Sequence, residues 1–484
     1  MGKYIHLFQS TEEFNQAIDN NFTGPWVSYT KENDKVDYYK TDEARKLEKP
    51  FTIEATQDGT TIYFYQSSYA IEDGLDPLKV EVSTDDGETW TEVTAAPAEN
   101  DVCGATLAEL DEGEKALIRG NNEAYGYRSS SEDETIENCI FYADKPCYVY
   151  GNIMSLVGGN DFARIRKVKE YAFASLFHDY ADELDWSWVL SKEGKELLLP
   201  ATTLADNCYD SMFYGCISLI VAPKLPATAL SSHCYCKMFF NCRSLMVAPE
   251  LPATMLAEDC YNSMFNYCSS LTNAPKLPAI VLADGCYSWM FGGCSGLTVA
   301  PELPATTLTD KCYYGMFQGC HGLTTAPKLS AIILANYCYA NMFGSCTGLT
   351  TAPELPATTL MSNCYSGMFS TCTGLTVAPE LPATTLEDSC YSYMFNKCTG
   401  LTSSPELHAT VLVTNCYSCM FDGCTNLAYI KAMFTTTPGD SYTVNWVRNV
   451  KATGTFIKNS AANWNVTGNN GIPSGWTVET TSVQ

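Results

Sequence analysis

Cationic residues are scarce in this chain. Its 484 residues hold 29 lysines and arginines against 55 aspartates and glutamates, a formal net charge of −26 at pH 7. Recognition of nucleic acid through its phosphates needs clustered Lys and Arg, and docking on anionic lipid needs them too. The balance excludes both partner classes, so neither nucleic acid nor membrane insertion is expected. Charge of either sign is low, at 17% of residues, which leaves Ser, Thr, Asn, Gly and Tyr to make much of the surface. Such residues hydrogen-bond and stack without strong fields, a composition favoured in adaptable binding surfaces.

Other absences narrow the function. Only five histidines occur, at His6, His178, His233, His321 and His408, and they are scattered. No Gly-x-Ser-x-Gly, phosphate loop or His-Glu-x-x-His pattern is present. Carboxylates are abundant, but none stands isolated in an apolar setting as a glycosidase pair would require. The expectation is therefore a non-enzymatic chain with no cofactor and no metal. No apolar run of about 18 residues exists, so no transmembrane helix is expected. The opening Met-Gly-Lys-Tyr-Ile-His lacks an apolar h-region and a small-residue cleavage site, and His6 breaks the myristoylation pattern. These features predict a cytoplasmic chain, export by a route other than ordinary secretion, or a leader removed beforehand.

What is present in abundance is repetition. Cysteines stand at Cys208, Cys234, Cys260, Cys286, Cys312, Cys338, Cys364, Cys390 and Cys416, and again at Cys216, Cys242, Cys268, Cys294, Cys320, Cys346, Cys372, Cys398 and Cys424. Both series keep a period of 26 residues over nine copies without slipping. A fixed period of this size is the mark of a solenoid, whose stacked coils bury one continuous core. The eight-residue spacing within a copy suits neither a zinc knuckle nor a disulfide, since a helix of that length rises about 12 Å. Both columns are predicted to be reduced core residues, small and apolar in behaviour.

One coil runs from Cys208 to His233. Cys208, Met212 and Cys216 fall at i, i+4 and i+8, with Tyr209 and Phe213 beside them, which predicts a short helix capped near Asp206 and ended by Gly215. Leu219 to Leu225 follows as an extended piece. Pro223 and Pro226 limit it to one or two residues of parallel ladder per coil. Nine coils at about 5 Å each give a solenoid roughly 45 Å long.

The segment Met-Phe-x-x-Cys-x-x-Leu-x-x-Ala-Pro-x-Leu-Pro-Ala-Thr resembles the BspA-like class of leucine-rich repeat, in a 26-residue variant similar to surface and virion proteins of gut Bacteroidales and their phages. The resemblance covers about 197–430 and implies an α/β leucine-rich-repeat solenoid, a short helix plus a short parallel strand per coil. It departs from the class where Ala222 and its equivalents replace the usual Ile, which predicts a thinner strand layer.

Around the array the expected organisation is an attachment segment at 1–45, a β-sandwich-like domain at 46–156, an N-terminal solenoid cap at 157–200, nine coils at 201–430 and a small C-terminal cap at 431–484. The sandwich rests on alternating runs such as Thr61–Tyr65, Lys79–Ser83, Lys115–Arg119 and Cys147–Tyr150 separated by turn signals. Tyr171–Phe177 looks like a degenerate copy of the repeat, and the acidic, aromatic stretch 178–195 is expected to cover the first coil. Ser83-Thr-Asp-Asp-Gly-Glu-Thr-Trp90 matches an Asp-box, a hairpin in which Ser83 and Asp85 tie down the turn, Gly87 takes positive φ and Trp90 packs beneath. Sialidase-like proteins carry several such boxes; this chain has one.

Two sets of residues break the beat and are the candidate sites. After the conserved proline the sequence runs Lys224, Glu250, Lys276, Glu302, Lys328, Glu354, Glu380 and Glu406. Neighbours about 5 Å apart would alternate in sign and pair, leaving Glu354, Glu380 and Glu406 as an acidic strip able to meet a cation or a basic partner. The aromatics Tyr214, Phe240, Tyr267, Trp289, Tyr314 and Tyr393 stand where other coils are polar, and exposed rings on a solenoid stack on sugars or anchor proteins. The resemblance implies a phage fibre or decoration protein of the virion surface, attached to other virion proteins through its N-terminal region, with the solenoid adhering to a host-surface glycan or protein. The alternative it implies is a bacterial cell-surface adhesin. Self-association as a homo-oligomer is compatible with either.

Overall fold

The computed structural model describes residues 7–8, 27–30, 35–37, 46–72, 74–99, 102–128, 136–178 and 189–482. The expected attachment segment 1–45 lies outside them except for the strands Leu7–Phe8, Val27–Thr30 and Lys35–Asp37. Residues 179–188 of the stretch expected to cover the first coil also lie outside.

The N-terminal part is built of β-sheets. One sheet sets Cys147–Asn152, Phe51–Ala55, Lys115–Arg119, Lys79–Ser83 and Thr91–Thr94 side by side and antiparallel, with Val189–Leu190 and Leu197–Leu198 added in parallel beside Cys147–Asn152. The other orders Ala105–Leu110, Thr60–Gln66, Ile136–Ala143 and Gly126–Arg128. Alternation explains the pairing: Thr60–Gln66 buries every second residue, the signature of a strand with one face on a core. The two inner faces meet through Phe51 and Phe141, whose ring centroids are 5.7 Å apart, and Phe64 stacks on Phe141 at 5.0 Å.

That core does not stop at the two sheets. Phe51 packs on Phe177 at 5.6 Å and Tyr125 on Phe173 at 6.5 Å. Backbone N–H groups of Tyr125, Gly126 and Phe141 donate to the carbonyls of Ala172, Tyr171 and Leu176. The degenerate copy 171–177 is thereby stacked between the two sheets and the first coil, with Phe173, Ser175 and Phe177 donating to the carbonyls of Cys208, Asp210 and Met212. A solenoid end needs its apolar face covered, and here the N-terminal sheets cover it.

The coils differ from the expected form. Among the described residues helix occurs at 46–47, Ser68–Glu72 and Ser155–Gly158, with a 3-10 turn at Gly159–Arg164; none lies within 201–430. The expectation of a helix in each coil is corrected: Asn207 to Cys216 is a ribbon of consecutive turns. The N–H groups of Cys208, Asp210, Met212, Tyr214 and Cys216 each donate to the carbonyl three residues back, while those of Asn207, Tyr209, Ser211, Phe213 and Gly215 donate to Ser232, Cys234, Cys236, Met238 and Phe240 of the next coil. Every fourth residue is left-handed: φ is 56° at Asn207, 54° at Ser211 and 76° at Gly215. A left-handed residue cannot continue a right-handed helix, so the chain turns instead. Half its donors satisfy the turn and half cross to the neighbour, which leaves no ribbon N–H from Asn207 to Cys216 unpaired. The arrangement is a parallel hydrogen-bonded ladder made of turns rather than strands.

The period-4 ribbon still points Cys208, Met212 and Cys216 inward, and all are buried with Tyr209 and Phe213. Stacking turns these positions into columns. Tyrosines from Tyr209 to Tyr417 lie ring on ring at 5.7–6.0 Å, and phenylalanines from Phe177 to Phe421 at 5.3–5.8 Å. Opposite the ribbon, parallel bridges of single residues join coils, such as Val221 with Val247, Thr325 with Thr351 and Thr351 with Val377. Pro223 and its equivalents lack the donor that a longer ladder needs.

From Ser403 onward the coils become a regular β-solenoid, which runs on past the last cysteine pair. Ser403–Leu407, Tyr429–Ala432, Thr455–Asn459 and Thr477–Thr481 form one parallel sheet in which Ser403 faces Tyr429, Tyr429 faces Thr455 and Thr455 faces Thr477. Trp446, Phe434, Phe456 and Trp464 fill its interior.

Candidate binding face

The cysteines are removed from chemistry by their place in the fold. All 21 described thiols are free and buried. Burial pushes the thiols of both repeated columns up, to about 12 at Cys208, Cys294 and Cys346. The second column has a further role: each of its nine sulfurs lies 2.9–3.2 Å from the carbonyl of a phenylalanine one coil earlier, as Cys242 does with Phe213, and donates its thiol hydrogen there. A small apolar group that can also serve a buried carbonyl explains why cysteine, not alanine, recurs. With thiolate so disfavoured, a native sample at mildly alkaline pH is expected to show Ellman's reagent no more than the two thiols whose side chains lie outside the description, Cys103 and Cys139. Unfolding in guanidinium should release all 23. Rapid native reaction of many thiols would contradict the packing.

Carboxylates buried among the described residues are Glu54, Asp210 and Asp422, and they sit in three different places. Glu54, in the N-terminal sheets, accepts from Tyr150 Oη at 2.7 Å and Lys192 Nζ at 3.1 Å and pairs with Lys195. Burial opposes its ionisation, but bonds from Lys195, Tyr150 and Lys192 outweigh it and hold the carboxyl at about 2. Asp422 is forked to Arg448, with Nε 3.0 Å from Oδ1 and Nη2 2.5 Å from Oδ2.

The Asp-box is the hairpin its residues imply. Ser83 Oγ donates to Asp85 Oδ1 at 2.7 Å and accepts from Gly87 N at 2.9 Å, and Thr89 N donates to Asp85 Oδ1 at 2.9 Å. Ser83 and Thr89 together hold Asp85 at about 2. Trp90 Nε1 returns to the Gly87 carbonyl at 3.1 Å, and Arg119 lies 3.9 Å over its ring.

The charge column does not form the expected ladder. Lys224, Glu250, Lys276, Glu302, Lys328, Glu354 and Glu380 are exposed, and the ion pairs of the described residues do not join one to another. Glu406 instead meets Lys431 at 2.7 Å and His408 at 3.6 Å, so the acidic strip loses its third member. Among the described residues no three His, Cys, Asp or Glu side chains converge as metal ligands.

Five of the six aromatics gather in two groups on the turn ribbon, and the sixth stands apart. His178, Tyr214 and Phe240 stack at 4.4 and 4.6 Å, and Tyr267 meets Phe240 edge-on at 5.6 Å. Trp289 and Tyr314 form a second edge-on pair at 5.7 Å. Tyr393, 48% exposed, stands apart three coils on and shares a hydrogen bond with Cys419. His178 was not among the expected binding residues; its neutral form is favoured by burial and by nearby Lys237, which bring it to about 4. Its place at the head of the ring stack follows from the degenerate copy 171–177, a signal present in the sequence.

A second surface escaped the sequence reading. The bridging positions and those beside them expose large apolar side chains: Val247, Met255, Val299 and Ile332 are more than half exposed, and Ile280 and Val281 stand at 67% and 72%. Where they are absent the same positions carry exposed threonines, as at Thr324, Thr325, Thr350, Thr351, Thr358 and Thr359. No family model, curated protein or solved structure matches this chain.

Proposed function

We propose that this chain is a non-enzymatic adhesive protein whose solenoid presents a long repetitive surface to a partner. One observation carries the reading: on several coils large apolar side chains stand exposed at and beside the bridging positions, among exposed threonines. Clustered exposed apolar side chains of that kind mark interaction sites rather than idle exterior. The repeat is read as a variant of the BspA-like leucine-rich class, on the strength of Met-Phe-x-x-Cys-x-x-Leu and the buried Leu219 and Leu225 columns, with a turn ribbon in place of the helix. On that resemblance the chain is a fibre or decoration protein of a phage virion, carried by its N-terminal region.

Two preparations test this. Density-purified virions of phages of gut Bacteroidales are expected to contain the chain by peptide mass spectrometry, and the purified full-length protein is expected to be retained by intact host cells. Peptides shaved from the surface of uninfected cells, with none in virions, would favour the cell-surface adhesin. Retention by no cell and presence on neither surface would defeat the adhesive reading.

A further inference from the structure

Rings on the ribbon are laid on glycine. A methyl group at Gly293 would stand 2.5 Å from Cδ1 of Tyr267, and one at Gly315 would stand 2.9 Å from Cδ2 and Cε2 of Trp289. At Gly292 it would stand 3.0 Å from Trp289 Cε3. Gly292 and Gly293 are consecutive, so Tyr267 and Trp289 flank one bare stretch of backbone. Gly319 extends it, since its own methyl would lie 3.6 Å from Gly293 Cα. Tyr314 closes the far side of Trp289 edge-on. An amide completes the place: Asn266 brings both its terminal atoms to within 3.2 Å of where a Gly292 methyl would sit.

Packing alone does not call for aromatic rings here. The left-handed positions repeat this device with polar groups: Asp259 lies across Gly285, Asn341 across Gly367 and Lys397 across Gly423. A glycine floor is therefore filled well enough by a carboxylate, an amide or an amine stem. At Tyr267 the occupant is an aromatic ring that leaves 54% of the residue in water. A ring half in water over a flat floor, beside the half-buried Trp289 and Tyr314 and the Asn266 amide, suits one ligand chemistry. The C–H face of a pyranose packs against an aromatic face while its hydroxyls pair with amide groups.

We propose that Tyr267, Trp289 and Tyr314, paved on Gly292, Gly293 and Gly315, form a subsite for a neutral saccharide chain. This rests on the adhesive reading above and names the chemistry it would recognise.

Full-length protein is titrated with xylohexaose, mannohexaose and cellohexaose by calorimetry and tryptophan fluorescence. At least one is expected to bind saturably. Trp289→Ala and Tyr267→Ala are each expected to weaken it tenfold or more. Gly293→Ala, which keeps every ring but lifts Tyr267 from its floor, should weaken it as well. Tyr337→Ala, on the ribbon but outside the subsite, should leave it unchanged, and thermal midpoints identify any variant that fails to fold. Binding by none of the three sugars overturns the proposal, as does binding that survives both ring removals in folded protein. Host cells that retain wild type and Trp289→Ala protein alike would reject this subsite while leaving the adhesive function standing.

Discussion

Phe317→Ala is expected to destabilise the array by about 3–5 kcal/mol, the range for emptying a fully buried phenylalanine site. Phe317 has no exposure and lies between Phe291 at 5.8 Å and Phe343 at 5.7 Å. Its N–H donates to Met342 and its carbonyl takes both Cys320 N–H and Cys346 Sγ. Neighbouring coils cannot collapse into the gap without breaking that ladder. Because each coil touches only its neighbours, the loss should also split cooperativity near the middle of the solenoid. Urea unfolding followed by hydrogen exchange is expected to show coils around 291–343 opening ahead of both ends, where wild type opens as longer units. Phe317→Leu, which keeps most of the volume, should lose far less. A loss below about 1 kcal/mol for alanine would mean that the stacked rings do not hold the coils together.

Asp210→Asn is expected to stabilise the protein at neutral pH and not in acid. Asp210 is 6% exposed in the first coil. Burial raises its carboxyl from 3.8 to about 6, against the opposing effects of the Ser211 hydroxyl and of Lys237 and His233 on the next coil. A raised carboxyl pKa means the folded state prefers the proton. The neutral acid is tolerated below about pH 4, and the penalty grows between there and about pH 6 and stays above it. The shift corresponds to about 3 kcal/mol at most. Coil three places Asn262 at the equivalent position, so the ribbon already accommodates the amide. Urea melts at about pH 4 and about pH 7.5 decide the matter. An equal gain at both, or none at the higher pH, would show that Asp210 is not the buried acid described.

Much of the interior was legible beforehand. Cys208, Tyr209, Met212, Phe213, Cys216, Leu219 and Leu225 were named as inward positions and all are buried; Ala222 and Leu230 are packed against the same core only in part. The backbone that carries them was not legible. Spacings of four and eight residues suit a helix of 3.6 residues per turn and a turn ribbon of four alike, and ten residues are too few for the two to drift apart. One clue was available: Gly285, Gly315 and Gly367 stand inside the supposed helix, where glycine is unfavourable, and all three take positive φ. The candidate site fared similarly. Tyr267 and Trp289 were visible as aromatics in polar columns, yet that they share one glycine floor depends on how each coil is offset against the next.

By itself the sequence determined the period, the inward columns, the reduced state of the cysteines and the sheet character of the N-terminal part. Burial repeated coil after coil, or residue after alternate residue, leaves an arithmetic trace in the chain. Only the tertiary structure decided the turn ribbon, the thiol-to-carbonyl bonds of the second cysteine column, the failure of the Lys–Glu ladder and the pairing of rings with glycines. Each of these depends on a partner about one coil away, such as Ser232 for Asn207 or Phe213 for Cys242. Local propensity carries no information about a partner that only stacking brings into reach.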